Sequence, residues 1–202
     1  MARVPVSVRR ARPADRAGAT AVLAAAFTTD PVMSWLVGPD RNLQRRLGHL
    51  FAHSLRAELA RADHLVDIVE SGHAIAVWHE VDEWKIPPIR ALKMLPTGVR
   101  TFGRRLPVAM RAMSEIEQHH PTEPHRYLEF IAVDPDHQGE GCGGALLASM
   151  TAECDERGVA AYLESSNPRN EPLYARYGFE PRPTIVLSGG GPAVTPMWRP
   201  AR

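Results

Sequence analysis

The chain has 202 residues, 44% hydrophobic and 23% charged, a length and balance that suit one globular domain with a sizeable core. Its 24 Lys and Arg against 23 Asp and Glu leave a formal charge of +1, which removes the electrostatic ground for a nucleic-acid partner. No run reaches the ~18 apolar residues of a membrane span and no apolar signal core opens the chain, so a cytoplasmic protein without a membrane partner is expected.

VSVRRA alternates as an exposed strand does, and Pro13-Ala14-Asp15 then starts an Ala-rich helix through AGATAVLAAAF. Thr29-Asp30-Pro31 and Gly38-Pro39-Asp40 cut the next stretch into short pieces around Trp35. Leu43, Leu47, Leu50, Phe51, Leu55 and Leu59 recur at helical spacing. HLVDIVE and HAIAVWHE flank Ser71-Gly72 as an antiparallel hairpin, and residues 82–124 hold helices near 89–95 and 98–116 with loops between. YLEFIAVDP is a largely buried strand, GCGGALLASMTAECDERG a helix ended by Gly158, and VAAYLES another strand. NEPLYARYGF is a short helix turning into a strand, and the tail is a hairpin around Gly189-Gly190-Gly191. Both cysteines, Cys142 and Cys154, fall on the one helix and cannot bridge to each other, which agrees with a reducing compartment.

The stretch DPDHQGEGCGGALL puts four glycines into the six positions 139–144. Gly139, Gly141 and Gly144 match the dinucleotide pattern G-x-G-x-x-G, with Glu164 about 20 residues on. That pattern follows its strand in a tight turn, whereas residues 134–138 intervene here, and too little chain remains for a doubly wound sheet. A P-loop needs a Lys-Ser/Thr pair after the glycines, and none follows. The remaining pattern is Q-x-x-G-x-G, Gln138, Gly141 and Gly143, in which a strand feeds a loop at a helix N-terminus. Such a loop binds a pyrophosphate, because helix-start amides lack partners and the helix dipole favours anions.

DPDHQGEGCGGALL resembles the acetyl-CoA-binding motif of the GNAT acetyltransferase superfamily, and the likeness runs through VAAYLES to NPRNEPLYARYGF. LAAAF, GPDR, AIAVW, VDPDHQGEG and LESSNPRNEPLYARYGF are most similar to the puromycin N-acetyltransferase group. The resemblance implies an α/β (α+β) fold of one domain over residues 1–202, with a mixed, mostly antiparallel, splayed sheet flanked by helices. Residues 82–124 would be an insertion that shapes the acceptor site. It further implies an enzyme that takes acetyl-CoA as co-substrate and transfers acetyl directly to a primary amine of a small molecule, an aminonucleoside antibiotic such as puromycin or a metabolite. Acetylation of a protein N-terminus or lysine is the alternative, and a catalytically silent acyl-CoA sensor is a third reading. No metal is called for; a homodimer and a role in antibiotic resistance stay open.

By the same resemblance, main-chain groups of Ile131, Ala132 and Val133 hold the pantetheine arm, and Gln138, Gly139, Glu140, Gly141, Cys142, Gly143 and Gly144 cradle the pyrophosphate. Asn167 or Asn170 adds a cofactor contact, and Tyr174 both packs on the cofactor and protonates the leaving thiolate. Glu164, at the end of VAAYLES, ranks first as base. Glu129, a carboxylate inside an apolar strand, is the second candidate, and a water chain the third route. Strand alternation puts Glu129 on the same face as Ile131 and Val133. Phe27, Asp30 and Trp35 are expected in the acceptor pocket. His119, His120 and His125 lack metal-site spacing and read as a solvated loop, with a proton relay at the cleft mouth as the functional alternative.

Overall fold

In a computed structural model that describes residues 6–38, 40–85 and 88–202, eight strands join in one sheet of order β1-β2-β3-β4-β5-β8-β6, with β7 paired to β8. The strands are β1 (Val8–Arg10), β2 (Leu65–Val69), β3 (Ala74–His79), β4 (His125–Val133), β5 (Ala160–Ser165), β6 (Glu180–Pro181), β7 (Ile185–Val186) and β8 (Ala193–Arg199). Only β4 and β5 run parallel, and every other pair is antiparallel. The expected breaker Pro39 lies outside the described residues.

Strand alternation in β3 divides the core between the two faces. Ile75 and Val77 pack with Leu23 of α1 (Arg16–Ala26) and with Leu47, Phe51 and Leu55 of α3 (Leu43–Glu58). Between these helices lies the short α2 (Pro31–Val37), which starts at Pro31 because Asp30 caps it by accepting the Met33 N–H at 2.8 Å. Ala74, Ala76 and Trp78 meet Leu146, Leu147 and Met150 on the opposite face. These three belong to α6 (Cys142–Glu156), and each such buried side chain contributes about 1.5–3 kcal/mol. Gly158, at φ 62°, closes the end of α6 as expected.

The 82–124 segment differs from its expected boundaries. A single helix, α4 (Pro88–Phe102), runs straight through Pro96 and Gly98, and α5 (Leu106–Gln118) follows a turn at Gly103. Pro96 is tolerated because it lies on the solvent side, where water can take the carbonyl that a proline ring leaves unpaired. The chain breaks at Gly103 because the turn needs φ +54°, a conformation glycine adopts without strain. Among the described residues no single helix is long and apolar enough to cross a membrane.

The feature that makes a site is a fork. β4 and β5 pair only from His125↔Ala160 to Leu128↔Leu163. Beyond Leu128, β4 carries a β-bulge against β3, where Val77 pairs with Phe130 and Trp78 with Leu128, so Glu129 is the extra residue. A bulge bends its strand, and here β4 departs from β5 while β5 continues alongside β8 to Ser165.

Candidate active site

Where the two strands part, a cleft of about 530 Å³ opens, within the ~300–1,000 Å³ of small-molecule sites. Residues 128–133 without 130 form one wall, and Leu163, Glu164, Ser166 and Asn167 the other. Ala26, Phe27, Thr29 and Asp30 join from the α1–α2 turn, and the 138–144 loop and α7 (Glu171–Arg176) complete the lining. Glu129 and Glu164 are the first residues past the last β4–β5 pair, one on each arm of the fork. The free edge of β4 beyond Leu128 offers backbone donors and acceptors that a strand-like ligand can use.

Each glycine of the loop has its own reason. Gly139 and Gly141 turn at φ 82° and 95°, where a Cβ is strained. Gly141 is the N-cap of α6 and brings no side chain to the first-turn amides. Ala145 N–H bonds back to the Gly141 carbonyl at 3.0 Å, so the amides of Cys142, Gly143 and Gly144 precede the ladder and suit an anion. Gly144 is small for a different reason: a Cβ there would sit 2.7 Å from the Tyr177 hydroxyl. Gly143 packs against Leu173 and Val133, each 3.5 Å from its virtual Cβ, which seats α7 on the start of α6.

The sequence pattern of the acetyltransferase (GNAT) family matches residues 64–179, from β2 through the loop to α7. The chain belongs to the GNAT acetyltransferase family. A related N-acetyltransferase of Schizosaccharomyces pombe, itself uncharacterized, is 25% identical over 195 residues, 91% of this chain and 78% of that protein. The crystal structure of histone acetyltransferase HPA2 and related acetyltransferase from Corynebacterium glutamicum superposes with a TM-score of 0.76 at 27% identity, covering 98% of each chain. Arylalkylamine N-acetyltransferase 2 from Aedes aegypti shares the fold, with a TM-score of 0.64 at 12% identity over 98% of this chain and all of that one. This GNAT protein is therefore an acyltransferase, and the puromycin group is not singled out by these relatives.

The residues of this GNAT cleft fit acetyl-CoA, the co-substrate general to the family. The amides that precede the α6 ladder, with Arg169 and Arg176 of the same lining, would hold phosphates, and the free β4 edge would hold the pantetheine amides. Negative charges line the same cleft at Asp30, Glu129 and Glu164.

Tyr174 lines the cleft and is 6% exposed. Burial first, and then the negative charge of Asp30, push its phenol well above the ordinary value, so it keeps its proton. Burial likewise raises Asp30, although it accepts from Met33 N–H and from the Ser166 hydroxyl. Glu164 Oε1 lies 3.2 Å from His120 Nδ1, and Glu129 Oε2 lies 2.8 Å from His79 Nε2. Tyr127 sits under the charges of both carboxylates, and burial and those charges hold it protonated.

Most of the expected site residues come together here, including Ile131, Ala132, Val133, Asn170, Phe27 and Asp30. Three expectations are corrected. Glu140 is exposed and turns to His137, 3.2 Å away, outside the cleft. Trp35 packs under Arg105 and near Gly191, whose virtual Cβ lies 2.9 Å from its ring, so it props the β7–β8 turn and does not line the cleft. Glu129 does not share the face of Ile131 and Val133, because the bulge interrupts the alternation and Leu128 joins those two instead. Asn167 lines the cleft, but its side chain also accepts the Arg169 N–H at 3.1 Å.

Ser166, Arg169, Arg176 and His79 were missed. Ser166, Arg169 and Arg176 stand inside the LESSNPRNEPLYARYGF stretch that carried the resemblance, so position alone was a signal for them. Among the described residues no group of His, Cys, Asp and Glu is arranged to hold a metal ion.

Proposed function

We propose that this GNAT enzyme transfers acetyl from acetyl-CoA directly to the primary amine of a small cationic molecule. The observation that carries the reading is the set of charges lining one cleft, Asp30, Glu129 and Glu164 from the fork and the α1–α2 turn, and Arg169 and Arg176 from the stretch around α7, whose Leu173 packs on Gly143. An ammonium is drawn to the first set and phosphates to the second.

Glu164 stands at the fork to take the amine proton. The amine nitrogen then bonds the acetyl carbon as the carbon–sulfur bond breaks, and Tyr174 gives its phenol proton to the leaving sulfur. Backbone groups of the free β4 edge near Ile131 polarise the thioester carbonyl. Cys142 is buried in the loop, and direct transfer leaves it no nucleophilic role. Among the described residues, segment 82–124 supplies none to the cleft lining, and we assign it an indirect influence on the acceptor end, through His120 and the turn after α5.

The likeness to the puromycin group supports an aminonucleoside as one such amine. A protein amine is the second reading, favoured by the name of the Corynebacterium glutamicum relative. CoA thiol release from acetyl-CoA, with puromycin, polyamines, arylalkylamines, N-terminal peptides and lysine peptides as acceptors, separates them. Turnover highest with a small cationic amine is expected, and turnover confined to peptides would replace the first reading by the second.

A further inference from the structure

Behind Glu164 runs a buried chain that the reaction above leaves unused. His120 Nδ1 meets Glu164 Oε1 at 3.2 Å, His120 Nε2 meets His125 Nε2 at 3.0 Å, and His125 Nδ1 meets the Glu123 carbonyl at 2.6 Å. The Glu164 and His120 side chains are 7% and 3% exposed, so water does not compete for these contacts.

The far end fixes the direction of the chain. A carbonyl only accepts, so His125 Nδ1 carries a hydrogen. Burial foremost shifts His125 toward its neutral form, against the hydrogen bond to the Glu123 carbonyl, which favours the charged one. With His125 neutral, its Nε2 is a lone pair and His120 Nε2 donates to it. The remaining His120 nitrogen faces a carboxyl group. With His125 neutral, every contact is satisfied in two ways: imidazolium beside carboxylate, or neutral imidazole beside carboxylic acid. Both hold one proton between Glu164 and His120.

The surroundings select the first. Trp84 stacks on His120 with ring centroids 3.6 Å apart and planes 23° apart, and an indole face stabilises a cation. Tyr127 and Tyr162 meet His120 edge to face at 4.9 and 4.8 Å. Both phenols stay protonated, by burial first and then by the charge of Glu164. The other charges around the group are Glu129 across Tyr127, Asp82 toward His125, Arg182 toward Tyr162, and Lys85, whose ammonium lies 5.2 Å from the centroid of the Trp84 ring.

We propose that Glu164 and His120 act as one carboxylate–imidazolium pair, oriented by His125, and that the pair emptied of its single proton is the base that deprotonates the acceptor amine. His120 is in these terms a positioning residue. With the proton gone, two lone pairs must face each other somewhere along the chain. Taking a proton from the ammonium, an N–H broken and one hydrogen returned to the pair, restores every contact. The buried chain therefore pulls the proton from the substrate. This rests on the reading of Glu164 as base, and its two halves fail separately.

The test is nitrogen NMR of the full chain labelled with ¹⁵N-histidine, joined to pH profiles of kcat/KM for the best amine. At pH 6, His120 is expected with both nitrogens protonated and His125 as the neutral Nδ1–H tautomer. In Glu164→Gln, His120 is expected to become neutral at that pH. A neutral His120 with a bare Nδ1 in the wild-type protein would overturn the proton count, whatever the kinetics. His120→Asn keeps a donor for Glu164 but has no group that titrates in the assay range. Its acid limb should move to lower pH by about one unit or more with the KM for acetyl-CoA unchanged. An unmoved limb overturns the positioning role, and full activity in Glu164→Gln overturns the base reading while the wild-type spectrum still decides the proton count.

Discussion

Replacing Tyr174 by Phe removes one hydroxyl from the cleft and leaves the ring in place. The wild-type phenol is 6% exposed, and burial with the Asp30 charge keeps it protonated throughout the range in which a protein can be assayed. As an acid it is always loaded, and water has little room to stand in for it. Losing such a positioned acid lowers kcat by roughly 10²–10⁴-fold, or about 3–5 kcal/mol of barrier at 1.36 kcal/mol per decade. The stability change is small by comparison, on the order of 1 kcal/mol for one hydrogen-bonding hydroxyl. The assay is CoA thiol release at saturating acetyl-CoA from pH 6 to 9, with the KM for acetyl-CoA measured alongside. The account expects the loss in kcat, uniform across pH, and a nearly unchanged KM. A variant with unaltered kcat would show that the phenol only packs, and a deficit that disappeared at low pH would show that the wild-type phenol ionises within the range.

Asp30→Asn should keep the α2 cap, since Asn caps as well as Asp, while removing a cleft charge; the acceptor KM should rise about 10-fold or more with the KM for acetyl-CoA unmoved. Gly141→Ala places a Cβ at φ 95° and costs about 1–2 kcal/mol of strain in the loop, so the KM for acetyl-CoA should rise. Gly158→Ala, at φ 62° on the far end of α6, should lower Tm similarly without that kinetic effect. Asp67 pairs with Arg10 at 2.7 Å, yet burial pushes its pKa from 3.8 up to about 6. The folded state thus binds the proton more tightly than the unfolded one, and wild-type stability should fall as pH rises from about 4 to 6. Asp67→Asn should therefore gain on the wild type across that window, by up to roughly 3 kcal/mol at pH 7, as read by urea unfolding at pH 4 and 7.

The parts of the site that were legible are those whose cause is local. A loop that turns twice through the left-handed region needs Gly139 and Gly141 in its own sequence, and a helix that starts there announces itself by its apolar spacing. The Ser71-Gly72 hairpin and the Gly158 stop were visible for the same reason. What sequence could not give is set by distant chain. The bulge at Glu129 arises from the register with β3, so alternation within β4 alone misplaces the side chain. His79 and Glu129 are 50 residues apart, and His120 and Glu164 are 44 apart, so neither pair leaves a spacing to read. Trp35 does not line the cleft and packs against the β7–β8 turn and Arg105, contacts made by residues far along the chain. The α4 helix continues through Pro96 because that position faces water, and only burial reveals it.

The central claim is direct transfer between two substrates held together in the forked cleft, with no acetylated protein in between. It is tested by initial rates of CoA release measured over a matrix of acetyl-CoA and amine concentrations. The account predicts double-reciprocal lines that intersect, the pattern of a complex containing both substrates. Parallel lines, with an acetyl group carried on the protein at Cys142 or elsewhere, would contradict it.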